Sequence, residues 1–457
     1  MTISGAGSKL TVTGKTYMAR AGEATLNITN GGEAIFTNGP YLAAGVGTTG
    51  TITISGSGSK LTAAGLVTIG DLGAGVLTIS DGGTASVRSM SVGTFDKTAQ
   101  GTVTISGAGS ALTVFGATSK LDVGSTGIGT LSISEGGNVA VAASTFVGRN
   151  PSGSGTVTIA GNGSKLTTGE DINVGHFGSG TLTITGGGEA ASGQNVVLGN
   201  FSGSSGTATI SESGSKLTSV NDIVVGERGS GTLTVTGGGE AAASIDVVIG
   251  DEASGSGTVT VSGSGSKLTA GENITVGNQG AATLTVSDGG AVDSGTNVII
   301  GNASQGTATV TGSGSKLTAA ENLIVGNLDD GTLTILAGGA AEAVNNVNIA
   351  LNFGSTSTAT VTGAGSNLAA GSSFNVGNGG AGTLNVTNGG YVDTGSVLTV
   401  GTDSTASGTV TISGAGSVVK NGFATYVGKD GQGTLTISNG GDLEGADVIF
   451  FGFAAGS

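Results

Sequence analysis

The chain of 457 residues contains no cysteine and no tryptophan, and it has only two prolines. Without cysteine it forms neither disulfides nor thiolate metal sites. It also lacks any run of about 18 apolar residues, so no segment is predicted to span a membrane as a helix. Basic residues are scarce, 15 against 30 acids, for a net charge of −15. This balance argues against nucleic acid or anionic lipid as a partner, since both require a basic surface.

Glycine is abundant instead, at 94 residues, and 36% of the chain is hydrophobic. The glycines follow no G-X-Y period, which excludes collagen. A disordered glycine- and serine-rich linker would lack the many valines, isoleucines and leucines of this chain. We therefore expect a folded protein whose core uses small and β-branched side chains rather than aromatic ones.

Two short strings alternate along the chain and divide it into nine tandem repeats. The serine of GxGSxL, or of a close relative, lies at Ser8, Ser59, Ser110, Ser164, Ser215, Ser266, Ser315, Ser366 and Ser417. The second glycine of TLTIxxGG lies at Gly32, Gly83, Gly137, Gly188, Gly239, Gly290, Gly339, Gly390 and Gly441. Most repeats are 51 residues long, but the interval from Ser110 to Ser164 is 54 and that from Ser266 to Ser315 is 49. A fixed period of this size is typical of solenoids.

Each repeat divides again into two similar coils, for example Thr258–Gly277 (TVTVSGSGSKLTAGENITVG) and Thr283–Gly301 (TLTVSDGGAVDSGTNVIIG). Within TVTV, Val259 and Val261 point to one side and the threonines to the other. Five inward apolar positions on three short strands predict a triangular coil that is buried only by stacking on its neighbours. Glycine, asparagine, aspartate and serine at the corners are expected to accept sharp turns with positive φ.

These patterns predict an all-β fold. We expect a single-stranded parallel β-helix solenoid, right-handed by the general rule for parallel crossovers, with about eighteen coils in nine repeats of about 51 residues. In this prediction residues 1–457 form one continuous β-helix without a separate globular domain.

The consensus strings GTVTISGAGSKL, NLxVGxxGxGTLTIxxGG and VxIGxxxGSxG resemble the repeat of bacterial type V secretion (autotransporter) and PEP-CTERM-associated proteins. The resemblance covers essentially the whole chain and implies a passenger β-helix on the bacterial cell surface. It also implies membrane attachment through an anchor domain outside these residues. Since the sequence opens within a repeat, we expect the chain to be a segment of a longer protein.

Outward threonine pairs form the most regular predicted surface. In the central repeats this face contains Thr156, Thr158, Thr181, Thr183, Thr207, Thr209, Thr232, Thr234, Thr258 and Thr260. A flat threonine lattice is a candidate ice-binding surface. The alternative is that threonine simply suits the outside of a strand, and interruptions at Asn27, Val76, Ser132 and Asn385 favour it.

Lysines recur at one position of alternate coils and form a second candidate surface, a lysine row made of Lys165, Lys216, Lys267 and Lys316 in the central repeats. Such a row is a candidate for binding an acidic glycan. The alternative is a solvated rim that prevents strand-edge pairing. Glu170, Asp222, Glu272 and Glu321 lie near it in sequence and are expected to neutralise its charge.

No catalytic, cofactor or metal site is predicted. His176, the only histidine, lies in a turn and has no placed nucleophile or acid partner in the sequence. The acidic residues are scattered over turns, whereas a polysaccharide hydrolase requires clustered carboxylates. A β-helical enzyme acting on polysaccharide is therefore the least favoured hypothesis.

The C-terminal coil contains Phe450, Phe451 and Phe453 close together. The two chain ends are nearly in phase with the repeat when Ser457 is joined to Met1. Two interpretations remain open: a cut at equivalent points of a longer array, or head-to-tail stacking of copies into a filament, with the three phenylalanines at the contact.

The favoured functional prediction is a rigid extracellular stalk or adhesive passenger segment without catalysis. It predicts a surface that has no pocket and no converging polar groups. Its expected partners are a host or abiotic surface, a glycan, or another copy of the chain. The alternatives are a filament subunit, an ice- or glycan-binding module, and a polysaccharide-active enzyme.

Overall fold

The computed structural model describes residues 1–453, and within this range it contains strands and turns but no helix. Strands pair in parallel with the equivalent strands of neighbouring coils, so that Thr156 lies beside Thr130 on one side and Thr181 on the other. The predicted fold is confirmed: the chain forms a parallel β-solenoid of about 18 turns.

The chain divides into two compact units, Met1–Leu233 (unit 1) and Thr234–Ser457 (unit 2), with the boundary inside the strand Ser230–Thr236. Both units are built from the same coil, and each coil contributes one strand to each of three sheets. Sheet one holds the strand that follows the polar turn, sheet two the strand after the glycine-rich turn, and sheet three the last short strand.

Sheet one contains the longest strands, of up to seven residues. In unit 1 these are Thr2–Ser4, Glu23–Thr29, Thr49–Ser55, Ala74–Ser80, Gln100–Ser106, Ile128–Ser134, Ser154–Ala160, Ser179–Thr185, Ser205–Ser211 and the boundary strand Ser230–Thr236. In unit 2 they are Ser256–Ser262, Ala281–Ser287, Gly306–Thr311, Gly331–Leu336, Thr356–Thr362, Ala381–Thr387, Ser407–Ser413 and Gln432–Ser438.

Sheet two contains shorter strands. In unit 1 these are Lys9–Val12, Glu33–Phe36, Ala111–Val114, Asn138–Val141, Lys165–Thr168, Glu189–Ser192 and Lys216–Ser219. In unit 2 they are Glu240–Ala243, Lys267–Ala270, Ala291–Ser294, Lys316–Ala319, Ala340–Ala343, Asn367–Ala370, Tyr391–Asp393, Val418–Lys420 and Asp442–Glu444. Two further strands of unit 1, Lys60–Ile69 and Thr84–Val92, run through the corner and serve both sheet two and sheet three.

Sheet three contains the remaining strands. In unit 1 these are Thr16–Met18, Pro40–Leu42, Leu121–Val123, Thr145–Val147, Ile172–Val174, Val196–Leu198 and Ile223–Val225. In unit 2 they are Val247–Ile249, Ile274–Val276, Val298–Ile300, Leu323–Val325, Val347–Ile349, Ser373–Val376, Val397–Val400, Ala424–Val427 and Val448–Phe451.

The core consists of columns of inward side chains, one residue from each coil. In sheet one of unit 1, Ile159 pairs with Ile184, which pairs with Ile210, and all three are fully buried. Burial of such a side chain contributes about 1.5–3 kcal/mol relative to exposure. The contribution requires a coil on each side, because a single coil leaves the column open.

The two repeat strings, GxGSxL and TLTIxxGG, meet at the corner between sheets one and two, where the serine of one contacts the glycine pair of the other. The hydroxyl Oγ of Ser315 accepts a hydrogen bond from the backbone N–H of Gly289 in the preceding coil (3.0 Å) and donates one to the carbonyl oxygen of Thr311 (2.7 Å). Gly289 has a φ of +86°. A Cβ on the next residue, Gly290, would lie 2.5 Å from the carbonyl oxygen of Val261. The serine of one string and the GG pair of the other thus form a single corner.

Asparagines at other corners form hydrogen-bonded ladders, a role beyond turn formation. In unit 2 the side-chain amide Nδ2 of Asn297 donates to Oδ1 of Asn273 (3.1 Å), that of Asn322 to Asn297 (2.9 Å) and that of Asn346 to Asn322 (3.0 Å). None of these four asparagines has a positive φ, unlike Asn388 in another turn. The prediction that corner asparagines serve positive-φ turns is therefore right at some corners and wrong at this one.

Candidate functional site

The threonine face lies on the outer side of sheet one, as the alternation predicts. In unit 1, Thr156, Thr181 and Thr207 are in register, and Thr158, Thr183 and Thr209 form the neighbouring column. Thr232 and Thr234 lie on the boundary strand Ser230–Thr236. Aligned columns are a geometric fact; binding of ice or any other ligand by them stays a prediction.

In unit 2 one threonine column runs without interruption. Its members, beginning at the predicted Thr258, are Thr258, Thr283, Thr307, Thr332, Thr358, Thr383, Thr409 and Thr434. The column beside it begins at Thr260 and is interrupted by Asn385, which pairs with Thr360 and Thr411. The interruption that the sequence suggested therefore affects one column only.

The lysine row lies on the outer side of sheet two, and acids of adjacent coils compensate its charge. The ion pairs, with their N–O distances, are Lys9–Glu33 (3.0 Å), Lys165–Glu189 (3.3 Å), Lys267–Asp293 (3.2 Å) and Lys316–Glu342 (2.5 Å). Of the predicted neutralising acids, Glu170 accepts a hydrogen bond from Ser144, and Lys165 pairs with Glu189 instead. Lys216 lies in register beside Glu189. This side of sheet two is thus charge-balanced, which disfavours an acidic glycan there.

His176 lies in a turn next to sheet three and is half-buried among aromatic rings. Its imidazole is 4.7 Å, 4.8 Å and 4.9 Å, centroid to centroid, from the rings of Phe146, Phe177 and Phe201. Burial, reinforced by the nearby positive charges of Arg149 and Lys120, lowers the pKa of His176 to about 4. The histidine is therefore neutral at neutral pH and has an aromatic rather than a catalytic environment.

The C-terminal phenylalanines do not form one surface. Phe450 stacks on Tyr426 at 4.9 Å and contacts Phe453 at 5.3 Å on the outer side of sheet three. Phe451 is in register with the inward residue Val427 and is 72% exposed. The predicted junction with Ser457 lies outside the described residues.

The outer face of sheet three in unit 1 differs from that of sheet one, because its outward side chains are buried. Thr68, Ser91 and Asp122, neighbours in register, are 0%, 5% and 7% exposed. They point away from the core, so their burial comes from the turns on both sides of the sheet. We call the resulting depression the sheet-three cleft; its floor includes Ser91 and Asp122, and its volume is about 420 Å³.

The two walls of the sheet-three cleft come from the chain segments before and after the residues that pair in sheet three, which are turns except where the strands Lys60–Ile69 and Thr84–Val92 run through the corner. The wall before the strands includes Leu66, Ser89, Thr118 and Lys120. The wall after them includes Thr94, Phe95, Ser125, Thr126, Arg149 and Asn150. The prediction of a surface without a pocket or converging polar groups is therefore wrong in this part of unit 1.

The long repeat explains the first wall. Residues 115–120 connect Ala111–Val114 to Leu121–Val123, whereas only residues 169–171 connect Lys165–Thr168 to Ile172–Val174. The three extra residues account for the interval of 54 between Ser110 and Ser164. They lengthen the turn that brings Thr118 and Lys120 to the cleft.

Two cations and one buried acid give the cleft its charge. Arg149 Nη1, from the next coil along the chain, donates to Oδ2 of Asp122. Lys120 Nζ and Arg149 Cζ each lie 5.1 Å from the ring centroid of Phe146, a distance suited to cation–π attraction. Burial raises the pKa of Asp122, and Arg149 opposes that shift. Arg149 therefore provides the counter-charge that an ionised carboxylate at this depth requires.

Sequence reasoning missed this cleft. The usable signals were the 54-residue interval and the cluster of cations Arg88, Lys97, Lys120 and Arg149 in a chain with few basic residues. Within residues 1–453, no three histidine, aspartate or glutamate side chains group so as to hold a metal ion. The same residues include no helix of the length and apolarity needed to cross a membrane.

Comparison with known proteins gives limited similarity. No protein-family model matches the chain. No curated protein matches it either. A solved structure of a hyper-glycosylated TibA fragment, whose modification TibC catalysed, is 16% identical with a TM-score of 0.37, over 94% of this chain and 100% of that one. Membership of the autotransporter repeat family stays a prediction.

Proposed function

We propose that the chain is a stiff, non-catalytic structural segment of a bacterial cell-surface protein. The observation that carries this proposal is the closure of hydrogen bonds and core columns between successive coils within each unit. In unit 2, for example, the inward Val310 pairs with Val286 and Ile335, and all three are fully buried. Bending such a unit would open both the strand pairing and the core.

Side-chain bonds between coils add to this stiffness. The corner serines connect the second coil of one repeat to the first coil of the next, and the asparagine ladder connects successive coils of unit 2, by hydrogen bonds of about 3 Å. A buried donor or acceptor without a partner costs about 1–3 kcal/mol, so local opening is unfavourable at every such corner.

The outer surface supports an extracellular location. It carries threonines on sheet one and compensated lysines on sheet two, with a net charge of −15 for the chain. A strongly charged surface keeps a protein soluble. The absence of cysteine removes any dependence on the redox state of the compartment.

Surface labelling of the source bacterium tests the proposed location. A membrane-impermeant amine reagent applied to intact cells is expected to modify the half-exposed Lys165 and Lys267, as read by mass spectrometry of their peptides. A cytoplasmic protein in the same cells serves as the control and should react only after lysis. If these two lysines also react only after lysis, the proposed location is wrong.

Ice binding is a second candidate function, favoured by the unbroken threonine column of unit 2. Eight aligned hydroxyl and methyl groups on a regular strand spacing present a periodic surface to ordered water. Shaping of ice crystals by the purified protein tests it. Thr332→Lys, within the column, should abolish faceting, whereas Thr269→Lys on sheet two should retain it. Round, unshaped crystals with the wild-type protein would exclude this function.

A further inference from the structure

We propose that the sheet-three cleft of unit 1 binds a saccharide bearing a carboxylate, with Lys120 and Arg149 holding the carboxylate and the hydroxyl-rich walls and Phe95 holding the sugar. This site goes beyond the proposed structural role and does not depend on it. The chain would then be an adhesive segment with one defined ligand site rather than a uniform surface.

The sheet-three cleft is a depression formed by the fold itself. Its floor residues Ser91 and Asp122 are buried although they point away from the core. Its volume of about 420 Å³ falls within the roughly 300–1,000 Å³ of small-ligand pockets. The irregular repeat, with its longer turn at residues 115–120, supplies one wall.

Two positively charged side chains, Lys120 and Arg149, line the sheet-three cleft. Arg149 already pairs with Asp122, whereas Lys120 has no carboxylate within ion-pair distance among residues 1–453 and contacts the Phe146 ring instead. Among the lining residues two cations stand against one acid, although the charge of the whole chain is −15. A second carboxylate, Asp71, lies beside the lining residue Thr94, and burial raises its pKa and so disfavours its charged form. An anionic group of the ligand would complete this arrangement.

The guanidinium of Arg149 has N–H donors beyond the one that contacts Asp122. A guanidinium has five N–H donors, and the contact with Asp122 uses Nη1. Asp122 is a positioning residue in this account, because it fixes the guanidinium from the floor of the cleft. The remaining donors suit a planar, two-oxygen acceptor, for which arginine is the preferred residue.

The hydroxyl groups and the exposed phenylalanine of the cleft favour a sugar over a bare anion. The walls offer the hydroxyls of Ser89, Thr94, Thr118, Ser125 and Thr126, which match a ligand dense in hydroxyl groups. Phe95 at the edge is 65% exposed and offers an apolar ring to the C–H face of a sugar. An inorganic anion uses neither feature. Thr94 already donates to the carbonyl oxygen of Gly70, and Asn150 donates to Ser125 and Thr126. Each of these hydroxyls keeps a further hydrogen-bonding position for a sugar hydroxyl, because a hydroxyl has one donor and two acceptor positions.

Binding of paired saccharides to the full chain tests the proposal. The probes are oligosaccharides ending in galacturonate, glucuronate or sialic acid, each compared with its methyl ester, and sodium acetate as the bare carboxylate. We expect at least one acid to bind about tenfold more tightly than its ester, since a charge-assisted hydrogen bond is lost. We also expect acetate to bind more weakly than that acid. Three results would overturn the proposal. Every acid could bind with the same affinity as its ester, acetate could bind as tightly as the acids, or no probe could bind at all.

Variants assign the binding to the cleft. Lys120→Gln should weaken binding of the acid about tenfold and leave binding of the ester unchanged, whereas Phe95→Ala should weaken both. Lys165→Gln on sheet two makes the same charge change elsewhere and should alter neither. At Arg149 the double variant Asp122→Asn/Arg149→Gln is used instead of Arg149→Gln, because it leaves no unpaired carboxylate on the floor of the cleft. Unchanged binding of the acid by both Lys120→Gln and the double variant would exclude the cleft.

The histidine supplies an independent readout. Burial lowers the pKa of His176, and the charges of Arg149 and Lys120 lower it further, so an anion bound between the two cations should raise that pKa again. The chain has one histidine, so a single imidazole resonance reports the change by NMR. An upward shift with the acid and none with its ester is expected; identical titrations with both ligands would contradict binding at this position.

Discussion

Arg149 donates a hydrogen bond from Nη1 to Oδ2 of Asp122, and the pair joins two coils of unit 1 at the floor of the sheet-three cleft. The carboxylate is the buried partner, and its burial alone raises its pKa. The guanidinium therefore makes an ionised carboxylate tolerable at this depth. Removal of Arg149 alone should therefore destabilise the fold, because it leaves the buried carboxylate of Asp122 without a counter-charge.

Arg149→Gln is expected to destabilise the neighbouring coils by about 2–3 kcal/mol at neutral pH, because it leaves the Asp122 carboxylate buried without a counter-charge. Hydrogen exchange of the strand Leu121–Val123 measures the loss. Part of the loss should be recovered as the pH is lowered, because burial raises the pKa of Asp122 and removal of the cation favours its neutral form further.

The double variant Asp122→Asn/Arg149→Gln is the matched control for that loss. It removes both charges, so it should be more stable than Arg149→Gln alone. Lys165→Gln, in an exposed pair, should cost less than about 1 kcal/mol. If the double variant is the less stable one, the counter-charge account of Arg149 is wrong.

Ser315→Ala should reduce the stability of unit 2 by about 1 kcal/mol, because the part-buried N–H of Gly289 loses its acceptor. Ser313, two residues earlier in the same turn, is exposed, and Ser313→Ala should stay within about 0.5 kcal/mol of wild type. Hydrogen exchange of the corner amides compares the two. Equal effects at both positions would mean that the repeat string is not maintained by this hydrogen bond.

Asn346→Asp should be destabilising by about 1–3 kcal/mol, since a carboxylate has no N–H to donate to Oδ1 of Asn322. Asn345 precedes it in the same turn and is exposed, so Asn345→Asp makes the same charge change outside the ladder. We expect little effect there. Thermal unfolding of both variants tests the ladder, and an effect of equal size at the two sites would refute it.

The stability of unit 1 should fall as the pH is lowered from above 6.5 toward 4. The folded state holds the pKa of His176 at about 4, against an ordinary value of 6.5, so the unfolded chain binds the proton first. Protonation therefore favours unfolding throughout that window. His176→Asn introduces the residue that a sister repeat carries at Asn278, and it should remove this component of the pH dependence.

The imidazole NMR titration gives the same quantity directly. A pKa well below 6.5 is expected in the native protein, since the ring lies among Phe146, Phe177 and Phe201. An ordinary pKa near 6.5 would show that the ring is not buried there.

The sequence was sufficient to predict the coil, because two periods coincide. Alternation within TVTV gives the inward Val259 and Val261, and the recurrence of about 51 residues gives the stacking. Both are properties of the chain's local pattern. The parallel register and the three-strand coil follow from them without knowledge of distant contacts.

The sheet-three cleft was not predictable from the same pattern. Ser91 and Asp122 occupy outward positions that look equivalent to those of Thr156 on sheet one. Whether an outward residue is exposed depends on how far the flanking turns rise, and the pattern of strands does not contain that information. The asparagine ladder was not predicted either. Asparagine is common in turns, so Asn322 in a turn gave no reason to expect a hydrogen bond between coils.

Residue-resolved hydrogen exchange of the whole chain tests most directly the claim that each coil is held by its neighbours. Sheet strands of the interior coils in each unit, such as those of Val157 and Val310, are expected to exchange slowly and together, while exposed turn residues such as Ser313 exchange faster. A block of interior coils whose strands exchange as fast as their turns would contradict it.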